Sequence, residues 1–92
     1  MTYYTREKIL KVGEYKKIKL NKTENKLLIC LSSNNVISHE KIENYTKIKN
    51  VSRLITDFKR KTGLKIKTRI GNGYILEDEI YFEWGGSYGK YR

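Results

Sequence analysis

The sequence predicts an α+β fold in which a β-hairpin, three helices and a second β-hairpin follow one another. Three observations carry that expectation. Apolar residues alternate at period two on either side of glycine-bearing turns, near Gly13 and near Gly71. Between those regions, apolar residues recur at helical spacing in three stretches. Each stretch is framed by a residue type that starts or stops helices: Asn21, Ser38 and Gly63. Ninety-two residues with 38% apolar content supply one modest core, so residues 1–92 are read as a single domain.

Ile9, Leu10 and Val12 precede Gly13-Glu14, and Tyr15, Ile18 and Leu20 follow it. This reads as a short hairpin with basic residues on its open side. Thr2–Tyr4 adds an edge strand, so 1–20 is the N-terminal β-hairpin region. Asn21 then stands before a helix with Glu24 three residues on, a capping-box spacing in which Asn replaces the usual Ser or Thr. Leu27, Leu28, Cys30 and Leu31 form that helix's apolar stripe, and Ser32-Ser33-Asn34-Asn35 ends it. Val36 and Ile37 lead to Ser38, the N-cap of a second, short helix carrying Ile42 and Tyr45, with Glu40 suiting the positive end of the helix dipole.

After the brief link Lys47–Asn50, a third helix runs over 51–62, with Gly63 placed to end it. At 100° per residue Val51, Leu54, Ile55 and Phe58 share one face. Arg53, Thr56, Asp57 and Arg60 lie opposite, with Ser52 and Lys59 on the flank. Leu64, Ile66 and Thr68 then alternate with Lys65, Lys67 and Arg69, the period of a strand. Gly71-Asn72-Gly73 turns the chain, and Tyr74, Ile75 and Leu76 return it. Ile80–Trp84 reads as one more short strand, and 85–92 as a tail that frays. Two helices joined by a short link, followed by a basic hairpin, is the layout of a winged helix-turn-helix. The expected parts are an N-terminal β-hairpin (1–20), a three-helix core (21–63), a hairpin wing (64–76) and a trailing strand with tail (77–92).

Twenty Lys and Arg against ten Asp and Glu give a net charge of +10. A balance so basic points to a polyanionic partner: nucleic acid, an anionic membrane face or an acidic protein. Distribution favours the first. Between Asp57 and Glu77 there is no acid, while Lys59, Arg60, Lys61, Lys65, Lys67 and Arg69 all fall there. Each phosphate that such a block neutralises releases counterions. One cysteine, Cys30, and one histidine, His39, leave no internal disulfide, no Cys-rich zinc cage and thin support for a His-based triad. No apolar run is long enough to span a bilayer and no secretory leader opens the chain, so the expected location is cytoplasmic, with no membrane contact. The acids at Glu77-Asp78-Glu79 and Glu83 assemble no nucleophile, base and orienting group, so the chain is read as no enzyme and as needing no cofactor or metal.

Four stretches, taken in order, resemble the DNA-binding output domain of OmpR/PhoB-type response regulators. They are Leu20–Leu28, Val36–Ile42, Val51–Gly63 and Ile66–Leu76, and the resemblance covers about Ile9 to Leu76 of the chain. The most specific feature is the Gly71-Asn72-Gly73-Tyr74 hairpin, set a fixed step after a basic helix. The resemblance is to the output half alone, without a phospho-receiver. The chain departs from the family in its short loop between the second and third helices, in Ser52 where that family often has Asp, and in Arg69-Ile70 where it has Val-Arg.

The resemblance implies a sequence-specific regulator of transcription bound to double-stranded DNA. Its third helix would enter the major groove and the wing would lie on the adjacent backbone or minor groove. The implied DNA-binding residues are Ser52, Arg53, Thr56, Lys59 and Arg60 on the helix, and Lys65, Lys67, Arg69 and Asn72 on the wing. Arg53 and Arg60 suit guanine, Thr56 a thymine methyl or a phosphate, and Lys59 a phosphate. Asp57 would pair with a cation on its own helix. Small winged helices commonly use two half-sites, so a homodimer or tandem binding on DNA is expected. Two other functions fit the same residues: a protein-binding adaptor or inhibitor of phage or mobile-element type, or a factor in DNA replication, segregation or packaging. Away from the interface, Cys30 is expected in the core, His39 on the surface at a helix start, Tyr74 packing the wing against the third helix, and Trp84 as a core or dimer anchor.

Overall fold

The computed structural model describes residues 1–69 and 71–84. The tail expected over 85–92, and Ile70 within the second hairpin, lie outside the described residues. The protein is α+β, in the order β1 (Thr2–Tyr4), β2 (Ile9–Val12), β3 (Lys16–Lys19), α1 (Lys22–Cys30), α2 (His39–Thr46), α3 (Val51–Thr62), β4 (Ile66–Arg69), β5 (Gly73–Leu76), β6 (Tyr81–Glu83). No helix among the described residues is long and apolar enough to cross a membrane. The chain divides into two compact units, one made of Met1–Asn25 with the chain from Glu79 on, the other of Lys26–Asp78.

The first unit is a four-stranded sheet in the order β3-β2-β1-β6. Its hairpin turns where the sequence places it, with Val12 opposite Lys16 and Leu10 opposite Ile18. Thr2–Tyr4 does form a strand, but not an edge. It lies between β2, antiparallel, and β6, parallel, with Tyr3 opposite both Leu10 and Phe82. The reason is burial: Tyr3 and Leu10 are fully buried, and an interior strand covers them from both sides. The Tyr3 ring meets Phe82 edge-on at 5.8 Å, and its hydroxyl donates to the Asn25 side-chain oxygen. Burial, with the Glu24 carboxylate nearby, pushes the Tyr3 phenol above its ordinary value. The trailing strand runs from Tyr81 to Glu83, tied down by the Thr5 amide and hydroxyl, both donating to the Glu83 carbonyl at 2.9 Å.

At the start of α1 the capping box closes in both directions. The Asn21 amide donates to Glu24 Oε1, and the Glu24 amide to Asn21 Oδ1, each at 2.8 Å. Two donors that a helix start leaves without partners are thereby satisfied.

The second unit holds α2, α3 and the β4–β5 hairpin. Leu27, Leu28, Leu31, Ile42, Val51 and Phe58 are buried to completion, joined by Ile55, Leu64, Ile66, Tyr74 and Leu76. Ser38 caps α2 by accepting from the Lys41 amide at 3.0 Å. Gly63 ends α3 in the left-handed conformation, its amide donating to the Lys59 carbonyl at 2.7 Å. One expectation about burial is corrected by the structure. Cys30 is half-buried rather than in the core, on the flank of the stripe that Leu27, Leu28 and Leu31 fill. Tyr45 is exposed, because α2 turns only Ile42 and Thr46 inward.

The hairpin is tied to the segment before α2. Ile37 and Tyr74 exchange amide-to-carbonyl bonds at 2.8 and 2.9 Å, an isolated antiparallel bridge outside the two-stranded sheet. Gly73 makes this approach feasible. A Cβ there would lie 2.0 Å from the Ile37 carbonyl oxygen and 2.8 Å from Ser38 Cα, and its φ of +130° is one that side chains rarely adopt. Gly71, at φ +78°, has open space around it. Urea denaturation should therefore separate the two glycines. Gly71→Ala is expected to cost about 1–2 kcal/mol, the penalty of a left-handed residue. Gly73→Ala should cost more, about 2–4 kcal/mol, from strain and two weakened hydrogen bonds. The Tyr3 phenol gives a second test. Its value is raised in the folded state, so its contribution is complete below about pH 10 and is lost as pH rises further. A Tyr3→Phe variant should lose less stability between pH 9 and about pH 11 than the parent in matched melts.

Candidate functional site

The cationic face is built on α3. Its inward positions Val51, Ile55, Phe58 and Thr62 are buried and Leu54 is half-buried, so rotation about the helix axis is fixed. Ser52, Arg53, Thr56, Lys59 and Arg60 all remain exposed as a consequence. The Asn50 side chain caps the first turn, accepting from the Arg53 amide at 3.2 Å. Asn50, Ser52, Arg53, Thr56, Asp57 and Arg60 border an open depression along this face.

Asp57 lies in the middle of the cations. Its carboxylate oxygens are 3.7 Å from Arg53 Nε and 3.8 Å from Arg60 Nη1, one turn away on either side. Both arginines are 78% exposed and Asp57 55%, so these pairs add little stability. What they do is hold two guanidinium groups on the solvent side of one helix, with most of their donors still outward. Thr56 donates its hydroxyl to the Ser52 carbonyl at 2.9 Å, which engages its one side-chain donor inside the helix. The Ser52 hydroxyl is 3.2 Å from the Tyr74 hydroxyl, linking the first turn of α3 to β5. Tyr74 is 7% exposed, in keeping with a ring packed between hairpin and helix.

On the hairpin, Lys65, Lys67, Arg69 and Asn72 are all exposed. Lys65 holds the hairpin base through its backbone, its amide donating to Asp78 Oδ2 at 2.7 Å and its carbonyl accepting from the Glu77 amide at 2.8 Å. Lys67 Nζ is 3.7 Å from Glu77 Oε2, so part of its charge is balanced within the hairpin. The Asn72 amide donates to the Arg69 carbonyl at 2.8 Å and closes the turn.

Beside the hairpin lies a cleft of about 360 Å³ that the sequence reading did not assemble. Ser38, His39 and Glu40 at the start of α2 form one wall, and Thr68, Arg69 and Gly71–Tyr74 the other. Period-two alternation puts Thr68 on the side of Leu64 and Ile66, opposite buried Tyr74, yet only Ile66 of β4 is buried. His39 is exposed as expected, and its ring centroid is 6.4 Å from that of Tyr74. No signal in the sequence reveals this cleft, since nothing local joins residues so far apart.

No group of three or more potential metal ligands comes together among the described residues. Burial raises the Cys30 thiol above its ordinary value, with Lys41 pulling the other way, so the thiol stays protonated near neutral pH. No protein-family model matches the chain, and no curated protein matches it significantly.

The N-cap and the acid on α3 should behave differently under mutation. Asn50→Ala is expected to destabilise by about 1 kcal/mol, the usual value of a cap. Asp57→Asn should change stability by less than about 0.5 kcal/mol, as the pairs it breaks are solvated. Chemical denaturation of both variants beside the parent checks this.

Proposed function

We propose that the second unit is a winged helix-turn-helix and that the protein is a sequence-specific regulator of transcription that binds double-stranded DNA. In this reading α3 enters the major groove and the β4–β5 hairpin is the wing, lying on the adjacent backbone or minor groove. The observation that carries the proposal is the solvent face of α3. A helix locked by its buried side, and capped at both ends, presents Arg53, Thr56, Lys59 and Arg60 to the outside. The groove is about 12 Å wide and an α-helix with side chains is about as broad, so one helix fits.

The hairpin supports the same reading. Its link to the start of α2 through Ile37 and Tyr74, and to α3 through Ser52, gives the helix and the strand cations a fixed spacing. Lys65, Lys67, Arg69 and Asn72 then add phosphate contacts, which position the protein without reading sequence. Arg53 and Arg60 have the planar double donor that guanine edges accept, and they carry the specificity. The order of motifs that resembles the OmpR/PhoB-type output domain agrees with this assignment. Asp57 acts within the helix, steering both arginines rather than facing a base.

Binding to duplex DNA should weaken steeply as salt rises, because the contacts release counterions. In fluorescence titrations with a selected duplex, Arg60→Ala should lower affinity by about 5- to 150-fold, the range for one lost base contact. Lys59→Ala should weaken all duplexes alike and reduce the salt slope by about one. Affinity that ignores salt and both substitutions would defeat the proposal, and recovery of a stoichiometric protein partner without any duplex binding would replace it with an adaptor role.

A further inference from the structure

We propose that the open face of the four-stranded sheet in the first unit binds single-stranded nucleic acid, with Tyr81 and Tyr4 as base-stacking surfaces and Lys11 and Lys17 as phosphate contacts. The strand register places these side chains together. Tyr3, Leu10 and Ile18 point to the buried side. Alternation therefore sends their neighbours to the other side. There Lys17 is opposite Lys11, Lys11 opposite Thr2, and Thr2 opposite Tyr81, a single row across all four strands. The next row along ends in Tyr4 opposite Glu83. None of these residues is buried, and Tyr81 is 63% exposed.

The row is hard to explain by stability. Like charges directly opposite on neighbouring strands are destabilising. Lys11 and Lys17 are such a pair, and neither forms an ion pair with any described residue. A polyanion laid across the sheet offsets that repulsion. The aromatic end of the row chooses which polyanion. Strands lie about 4.8 Å apart, so the lysine strand and Tyr81 are about 14 Å apart across the sheet. A single strand of a few nucleotides crosses that span, with phosphates over the lysines and bases over the rings. Duplex bases are already stacked and cannot use a tyrosine face, whereas unpaired bases of any sequence can. Glu83 lies beside Tyr4, at the end remote from the lysines, and repels a backbone there. It therefore sets which end of the row takes the phosphates.

This surface is built from other elements than the α3 face, and the experiment distinguishes their failures. The full chain is titrated with a fluorescein-labelled oligothymidylate of about ten nucleotides, within the range that such surfaces cover. Tyr81→Ala should weaken binding by about 5- to 150-fold, and Tyr81→Phe should restore it. The Lys11→Ala, Lys17→Ala double variant should weaken binding and lower the salt slope by about 1.4. Arg53→Ala with Arg60→Ala should weaken duplex binding and leave unchanged the factor by which Tyr81→Ala weakens oligothymidylate binding. Circular dichroism melts confirm that each variant is folded, which the exposure of Tyr81 favours. The proposal is overturned if the oligothymidylate does not bind at low salt, if Tyr81→Ala binds as the parent does, if the α3 variant removes the binding, or if anionic lipid vesicles bind where the oligothymidylate does not.

Discussion

Two backbones meet at Gly73, and the second unit is organised by that meeting. Ile37 sits one residue before the cap of α2, so its bridge to Tyr74 places the hairpin directly against the start of that helix. Tyr74 in turn reaches Ser52 in the first turn of α3. Three elements far apart in sequence are thus joined through three residues, and the joint tolerates no side chain at position 73. Its consequence is geometric. Cations on α3 and cations on the hairpin belong to one body with fixed separations, so a bound polyanion would order few of them afresh. Asn34 reinforces the closure from the other side, its amide nitrogen donating to the Leu76 carbonyl at 2.9 Å.

Charge is arranged rather than merely abundant. The protein carries +10, and much of that is lysine scattered along the sequence. On α3 the arrangement is tighter, since one acid steers two arginines while lowering the helix's own charge. On the hairpin Glu77 plays a comparable part for Lys67. Solvated pairs of this kind contribute little to folding, so their value lies in limiting where long side chains point. That is a specification a binding surface needs and a stable core does not.

Local features were legible in the sequence, and features that depend on distant pairing were not. The Asn21–Glu24 box, the Ser38 cap and the Gly63 stop each rest on residues within four positions, and all three form as read. The face of α3 was equally legible, because helical periodicity needs no knowledge of what it packs against. The strand Thr2–Tyr4 was read as an edge, because its second neighbour lies near the other end of the described chain and pairs in parallel. Parallel neighbours leave no turn between them to read. Alternation likewise gives the side of a strand but not the depth of burial: Thr68 shares a side with Ile66 and is exposed all the same. Among the candidate site residues, their exposure was foreseen one by one. The cleft joining His39 to Arg69 was not, since it exists only through the Ile37–Tyr74 bridge.

Amide chemical shifts of a nitrogen-labelled sample, followed as a selected DNA duplex is added, test the central claim most directly. The account predicts that the largest changes fall on Ser52, Arg53, Thr56 and Arg60 of α3 and on Arg69 and Asn72 of the hairpin, reaching saturation together. Changes that spare both elements, or that collect on α1 and the inward side of α3, would contradict it.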